Sequence, residues 1–427
     1  MLEVNFLREN FDRAVAGLDK RNVKAPAEKI KAIIAADDDR KNIQFTLDGL
    51  LEESNKINKN IAAAFKSGNR EDAESLKTRA SELKSEIQNY QEDQQKILNR
   101  LEDLLLQTPN IPNDLVKKGK SEADNEVVKK WGDFPTLPSD AELPHWELAK
   151  KYDLFDLELG VKLTGAGFPV YKGQGAMLQR GLINFFLDKA LEAGYTEIIP
   201  PLLVNETSAR ATGQLPDKEA QMYEAKLDPF YLIPTAEVPI TNIYRDVMLS
   251  EKEFPIKMVG YTPCFRREAG SYGKDVRGLN RLHQFDKVEI VQIVPQDKSY
   301  DVLDEMVAHV ESLVQALELP YRVLRLCGGD LGFTPTLTYD IEVYSAAQKR
   351  WLEVSSISNF ETYQSNRLKL RYKDGNNKKF LAHTLNGSAL ALPRIVAALL
   401  ENHQQKDFIQ IPKALQSYVG MGKIVVR

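Results

Sequence analysis

The sequence predicts an α+β protein: a mainly antiparallel sheet flanked by helices, preceded by an antiparallel two-helix coiled-coil arm. Three observations carry this. Residues 40–106 hold apolar side chains at alternating spacings of three and four. From about residue 147 helical and strand-like runs are mixed, with strand-like runs at 254–265, 282–294, 320–327, 337–344, 350–356 and 379–385. Hairpin-like turns link many of these runs, which favours antiparallel pairing.

The arm comes first. Its first helix places Ile43, Leu47, Leu50, Ser54, Ile57, Ile61 and Ala64 on one seam. The second places Ala73, Leu76, Ala80, Leu83, Ile87, Tyr90, Gln94, Ile97, Leu101 and Leu104 there. Ser67-Gly68-Asn69 breaks the pattern as a tight turn does. At about 1.5 Å per residue the arm reaches roughly 55–60 Å. Residues 55–84 carry seven cations against four acids, and residues 27–54 carry four cations against seven acids. The tip is therefore basic and the base acidic. A basic tip suits an RNA backbone, although a solvated coiled-coil face or a partner-binding rod has the same pattern.

Pro109 and Pro112 end the arm. The expected domains are 1–108 and 109–427, with a polar connector over about 109–146. Met177 to Glu192 has helical apolar spacing. A hydrophobic content of 43% and a charged content of 28% are those of an ordinary globular protein. No apolar run reaches the roughly 20 residues of a membrane span. The N-terminus lacks a basic region followed by an apolar core, so no secretory signal is expected. Cys264 and Cys327 give neither a disulfide framework nor a zinc spacing and are expected to be small buried hydrophobes. The cytosol follows as the expected compartment. With a net charge of −4, any grip on phosphate needs locally concentrated cations.

Residues 266–289 are the most informative stretch. They read as strand, basic glycine-containing loop, strand, with Lys274, Arg277 and Arg281 in the loop. Strand alternation puts Arg266 with Glu268, and Arg281 with Phe285 and Glu289. Guanidiniums grip phosphate through a planar fork, and a phenyl ring stacks on a base. An anionic ligand carrying a base fits this surface, and so does an exposed, ion-paired hairpin. The pattern alone does not choose.

This stretch resembles motif 2 of class II aminoacyl-tRNA synthetases, in the form found in seryl-tRNA synthetases. Gly194-Tyr195-Thr196-Glu197-Ile198-Ile199-Pro200-Pro201 resembles motif 1, and Thr384 to Arg394 followed by Ile395 to Asn402 resembles motif 3. The similarity runs over nearly the whole chain. It implies a class II catalytic fold and ATP-dependent ligation of L-serine to tRNA(Ser) through seryl-adenylate, with tRNA(Sec) left open as a further acceptor. It also implies a homodimer, ATP and Mg²⁺ as cofactors, and no membrane. The basic arm tip, with Lys56, Lys59, Lys66, Arg70, Lys77, Arg79 and Lys84, is then the tRNA-binding surface.

The resemblance also assigns roles in the site. Arg266 and Arg394 are the catalytic pair, on the α- and γ-phosphates. Glu268 meets the adenine amino group and Phe285 stacks on the ring. Arg281 assists the phosphates, and Arg267 belongs to the same ATP-binding set. Glu353-Val354-Ser355-Ser356 is the nucleotide and metal segment, with Glu353 and Ser356 near Mg²⁺. Those two residues have opposite strand parity, so a bulge or a strand end is required between them. Thr235, Ala236, Glu237, Glu289, Asn386 and Ser388 form the serine site. Thr235 and Glu237 take the amino group and Glu289 the hydroxyl, although Glu289 also has Lys287 nearby as an ordinary ion-pair partner.

Pro393 stands where the family commonly has glycine, and it fits only in a first helical turn, so the motif 3 helix should begin near Leu392 or bend there. Ile357 and Phe360 replace cysteines often seen in the family. None of the five histidines has metal-ligand spacing, and His283 is expected to be structural. Two rivals remain at this point: a class II ligase for another small amino acid or a carrier protein, and a non-catalytic coiled-coil interaction protein. Class I chemistry and a phosphate-loop ATPase are disfavoured, because neither the class I signatures nor a Gly-x-x-x-x-Gly-Lys pattern occurs.

Overall fold

The computed structural model describes residues 1–138, 142–217, 220–268 and 277–426. The chain forms two compact units, one of Met1–Asp19 with Val23–Pro109, the other of Lys20–Asn22 with Asn110–Arg427. Among the described residues no helix is long and apolar enough to cross a membrane.

In the first unit, short helices Val4–Glu9 and Phe11–Lys20 precede α1 (Pro26–Ser67) and α2 (Arg70–Leu106). The pair is antiparallel, as the seam predicts. α1 begins earlier than the seam does, because Pro26 suits a helix start and Ile30 and Ile33 are buried along with Leu7 and Leu18. Ile43, Leu47, Ile57, Ala73, Leu83 and Leu101 are buried. Tyr90 departs from the seam and is exposed. The turn uses Gly68 at φ 77°, with Asn69 N–H donating to the Ala64 carbonyl at 3.1 Å. The Asn69 side chain then caps α2 by accepting the Asp72 N–H.

The second unit is built on an eight-stranded sheet. Its strands are β1 (Glu126–Trp131), β2 (Thr196–Glu197), β3 (Ile256–Phe265), β4 (Gln284–Val294), β5 (Tyr321–Arg325), β6 (Leu337–Ser345), β7 (Arg350–Asn359) and β8 (His383–Ala391). Their spatial order is β1-β5-β6-β7-β8-β4-β3-β2. All neighbours are antiparallel except β2 and β3. Helices α3 (His145–Tyr152), α4 (Gly173–Glu192), α5 (Ser299–Ala316) and α6 (Leu392–Asn402) supply apolar faces to the core, among them Leu148, Phe185, Val310 and Ile395.

Two local features differ from simple expectation, and the irregularity expected between Glu353 and Ser356 is present. The connector contains β1, an edge strand whose exposed Lys129 and Lys130 hide its period. β8 runs on through residue 391 rather than stopping at 385, because Gly387, Ser388 and Ala389 carry little intrinsic strand signal. Continuous strand β7 contains a bulge: Ser355 pairs with Ile341 and Glu353 with the adjacent Glu342, leaving Val354 as the extra residue. The bulge restores a common face to Glu353 and Ser356, as the metal assignment requires. Pro393 occupies the first turn of α6, which begins at Leu392.

Candidate active site

A cavity of about 710 Å³ opens on the sheet where β3, β4, β7, β8 and the start of α6 converge. Arg266, Glu268, Arg281, Phe285 and Arg394 line one part of it. The Arg266 guanidinium lies 5.2 Å from the Phe285 ring centroid, so charge and stacking surface adjoin. Arg394 donates from Nη1 to the Glu353 carbonyl at 2.7 Å and from Nε to the Asn280 carbonyl at 3.1 Å. Arg281 is ion-paired with Glu268 across the loop.

Strand alternation is not what brings Arg266 and Glu268 together. β3 ends at Phe265, and Glu268 has a left-handed φ of 49°. On the return side β4 begins at Gln284, so Arg281 reaches the cavity from the loop, while Phe285, Lys287 and Glu289 alternate onto it. Residues 269–276, including Lys274, lie outside the described residues. Arg277 sits with its guanidinium 5.1 Å from the Trp146 ring.

Thr235, Glu237, Glu289, Asn386 and Ser388 also line the cavity. Lys287 Nζ is 2.5 Å from Glu289 Oε2 and donates to Thr235 Oγ1 at 2.9 Å. The Ser388 hydroxyl approaches the same Glu289 oxygen at 3.4 Å. Glu237 is buried and accepts from Gln364 Nε2 at 2.6 Å, while Gln364 in turn accepts from the Thr384 hydroxyl at 2.7 Å. Burial first, and the Glu289 charge second, push the Glu237 carboxyl up to about 7, against the opposing hydrogen bond from Gln364 and the charge of Lys287. Two carboxylates against one ammonium leave this part of the pocket short of positive charge, which suits a ligand bearing an amine.

Glu353, Val354, Ser355 and Ser356 all reach the cavity. The Ser355 hydroxyl is committed to the Ser388 carbonyl at 2.6 Å. Asp340, opposite Ser356 in the register, has a buried Oδ1 with no hydrogen-bond partner. Burial and the neighbouring Glu353 charge hold its carboxyl well above the usual range. Among the described residues no group of three or more His, Cys, Asp or Glu could hold a metal by itself. A hard cation that keeps phosphate and water oxygens needs only one or two protein oxygens, so this donor set fits magnesium.

Two expected site residues are not at the cavity. Arg267 is exposed, and its backbone N–H is bound to the Gln221 carbonyl. Ala236 is fully buried in an apolar cluster with Ile240 and Val291, the natural place for a bare methyl group. Two residues beyond the expected set emerge. Lys287 shares the parity of Phe285 and Glu289, which could have revealed it. Gln364 has no sequence signal, being brought in by tertiary packing. His283 is structural, with Nδ1 2.8 Å from the Tyr223 hydroxyl and its ring stacked on Phe168. Both cysteines are buried and unpaired.

At the arm tip, Lys56 pairs with Glu52, and Lys77 with Glu74. Arg79 on α2 bridges to Glu53 on α1 at 3.0 Å, tying the two helices together, and to Glu86 on its own helix at 2.9 Å. No ion pair engages Lys59, Lys66, Arg70 or Lys84 among the described residues.

A mainly antiparallel sheet that brings one arginine from a strand-loop-strand segment and another from a helix start into a single cavity defines the catalytic domain of a class II aminoacyl-tRNA synthetase. Comparisons agree. Residues 222–403 match the tRNA synthetase class II core domain (G, H, P, S and T), and residues 1–112 match the seryl-tRNA synthetase N-terminal domain. A serine–tRNA ligase of Salinibacter ruber is 49% identical over 99% of both chains, and one of Methylacidiphilum infernorum is 45% identical over 98% of this chain and 99% of its own. The crystal structure of seryl-tRNA synthetase from Pyrococcus horikoshii complexed with ATP superposes with a TM-score of 0.92, at 31% identity and full coverage of both chains. The chain belongs to the seryl-tRNA synthetase family. It is thus an ATP-dependent ligase, and neither rival reading survives.

Proposed function

We propose that this cavity forms seryl-adenylate and then transfers serine to tRNA, with the roles divided as follows. The serine carboxylate oxygen attacks the α-phosphorus of ATP, a new P–O bond forms, and pyrophosphate leaves with the electrons of the broken P–O bond. Arg266 offsets the charge that gathers on the α-phosphate, while Arg394, at the start of α6, takes the γ-phosphate. Phe285 stacks on adenine, Glu268 accepts from its amino group, and Arg281 steadies the phosphates. Such chemistry needs positioning and charge neutralisation more than a strong base. Glu353 and Ser356 would hold a magnesium ion, which when bound would offset phosphate charge. In the second step the terminal ribose hydroxyl of tRNA attacks the seryl carbonyl and AMP departs.

Serine is read by polar groups. Thr235 and Glu237 meet its ammonium, Glu289 accepts from its hydroxyl, and Asn386 and Ser388 close the site. An acceptor left unpaired by alanine or glycine makes discrimination of about 10⁴ attainable without editing. The observation that carries this reading is that Glu289 faces the same cavity as Arg266 and Arg394. Pyrophosphate exchange measured with each amino acid in turn tests it. Exchange with serine alone is expected, and equal exchange with alanine or threonine contradicts it.

Residues 1–108 serve as the tRNA-binding domain, with Lys59, Lys66, Arg70 and Lys84 free to meet phosphates. Exposed Ile199, Leu202 and Leu203, which follow the motif 1 strand, support a homodimer through that face. The cytosol is the proposed compartment.

A further inference from the structure

We propose that His145 is a positioning residue for the nucleotide half of the pocket, fastening the return end of the motif 2 loop to helix α6. The inference rests on the nucleotide placement proposed above. The imidazole is wholly buried. Its Nε2 accepts the backbone N–H of Leu279 at 2.8 Å. A ring nitrogen that accepts a hydrogen bond carries no proton, so the proton sits on Nδ1. From there it is donated to Glu401 Oε1 at 2.7 Å. The same oxygen accepts the His145 backbone N–H at 3.0 Å and Gln348 Nε2 at 2.9 Å. The other Glu401 oxygen takes the Ser345 hydroxyl. The buried carboxylate is thus bonded on both oxygens and holds the ring in one orientation.

Glu401 stands seven residues after Arg394 in α6, two helical turns along the same face. The helix therefore grips two consecutive loop residues. Arg394 holds the Asn280 carbonyl, and Glu401, acting through His145, holds the Leu279 N–H. A third tie runs from the Asn280 side chain to Gln348 Oε1 at 3.1 Å. Leu279, Asn280 and Arg281 all line the cavity. Gly278 completes the fit: its φ is +69°, and a Cβ there would lie 2.1 Å from His145 Nε2. Only a residue without a side chain lets the loop close on the ring. His145 is thus one link in a chain that sets the spacing between Arg281, on the loop, and Arg394, on the helix.

His145→Leu keeps the bulk but removes both hydrogen bonds. Its ATP KM in pyrophosphate exchange is expected to rise about tenfold, the order expected for an unpaired buried amide, while the serine KM moves less than about twofold. His145→Gln, whose amide oxygen can replace Nε2 as acceptor, should recover most of the ATP KM. Leu148→Ala, in the same helix and the same core, should lower Tm and leave both KM values alone. An unchanged ATP KM in folded His145→Leu, or parallel rises for ATP and serine, overturns the proposal. If Arg394→Ala also leaves the ATP KM unchanged, it is the nucleotide placement that fails. Should His145→Leu not fold, amide hydrogen exchange on the native chain decides. The Leu279 N–H must exchange as slowly as the β4 amides, and free-loop exchange overturns the idea.

Discussion

Lys287 holds its ammonium 2.5 Å from the Glu289 carboxylate, and both side chains are buried. The ion pair and the serine-reading role are compatible, because Lys287 and Ser388 both approach Oε2. Glu289→Ala should raise the serine KM about 100-fold and the ATP KM less than threefold, in line with the loss of a charged hydrogen-bond partner. Equal rises would argue against a hydroxyl contact. Lys287→Met strands a buried carboxylate and should cost about 3–5 kcal/mol in urea denaturation.

The proposed contact of Glu237 with the serine ammonium predicts a pH dependence of serine binding. Its carboxyl sits at about 7 in the folded chain, against 4.5 for an ordinary glutamate. Between those values the folded state holds a proton that the unfolded state has released, so this group's contribution to stability falls as pH rises through the window. The ligand effect has the opposite sense, since a serine ammonium prefers the ionised form. Serine affinity should therefore weaken by about tenfold per pH unit below about 7. Titration calorimetry at pH 6 and pH 8 should show proton release at the lower pH, and Glu237→Gln should abolish it.

The proposed magnesium role of Glu353 predicts a change in metal requirement. Glu353→Ala should raise the Mg²⁺ concentration for half-maximal exchange by about tenfold or more. An unchanged requirement would show that the ion is held by phosphate alone.

The arm tip should act on RNA and not on adenylation. Replacing Lys59, Lys66, Arg70 and Lys84 together by alanine should weaken tRNA binding. It should also flatten the salt dependence by about 0.7–0.9 for each phosphate no longer neutralised. Pyrophosphate exchange should not change. Arg79→Ala should instead loosen the helix pair, because Arg79 on α2 bridges to Glu53 on α1.

Much of this architecture was legible in the sequence, for reasons that differ by element. The coiled coil announced itself because packing there repeats along one helix face, and only Tyr90 strayed. The need for a bulge beside Val354 followed from the parity of Glu353 and Ser356. Parity failed where backbone left the extended region, as at Glu268, and could not see a neighbour supplied by another element, as with Gln364. Arg267 and Ala236 were drawn in by adjacency to true lining residues. His145 gave no local signal, because its importance comes from Leu279 and Glu401, both far away along the chain.

The most direct test of a shared cavity is the inhibition pattern of a non-hydrolysable sulfamoyl analogue of seryl-adenylate in pyrophosphate exchange. Competition against both ATP and serine is the predicted result. Failure of saturating serine to weaken analogue binding at equilibrium would place the amino acid elsewhere and contradict the account.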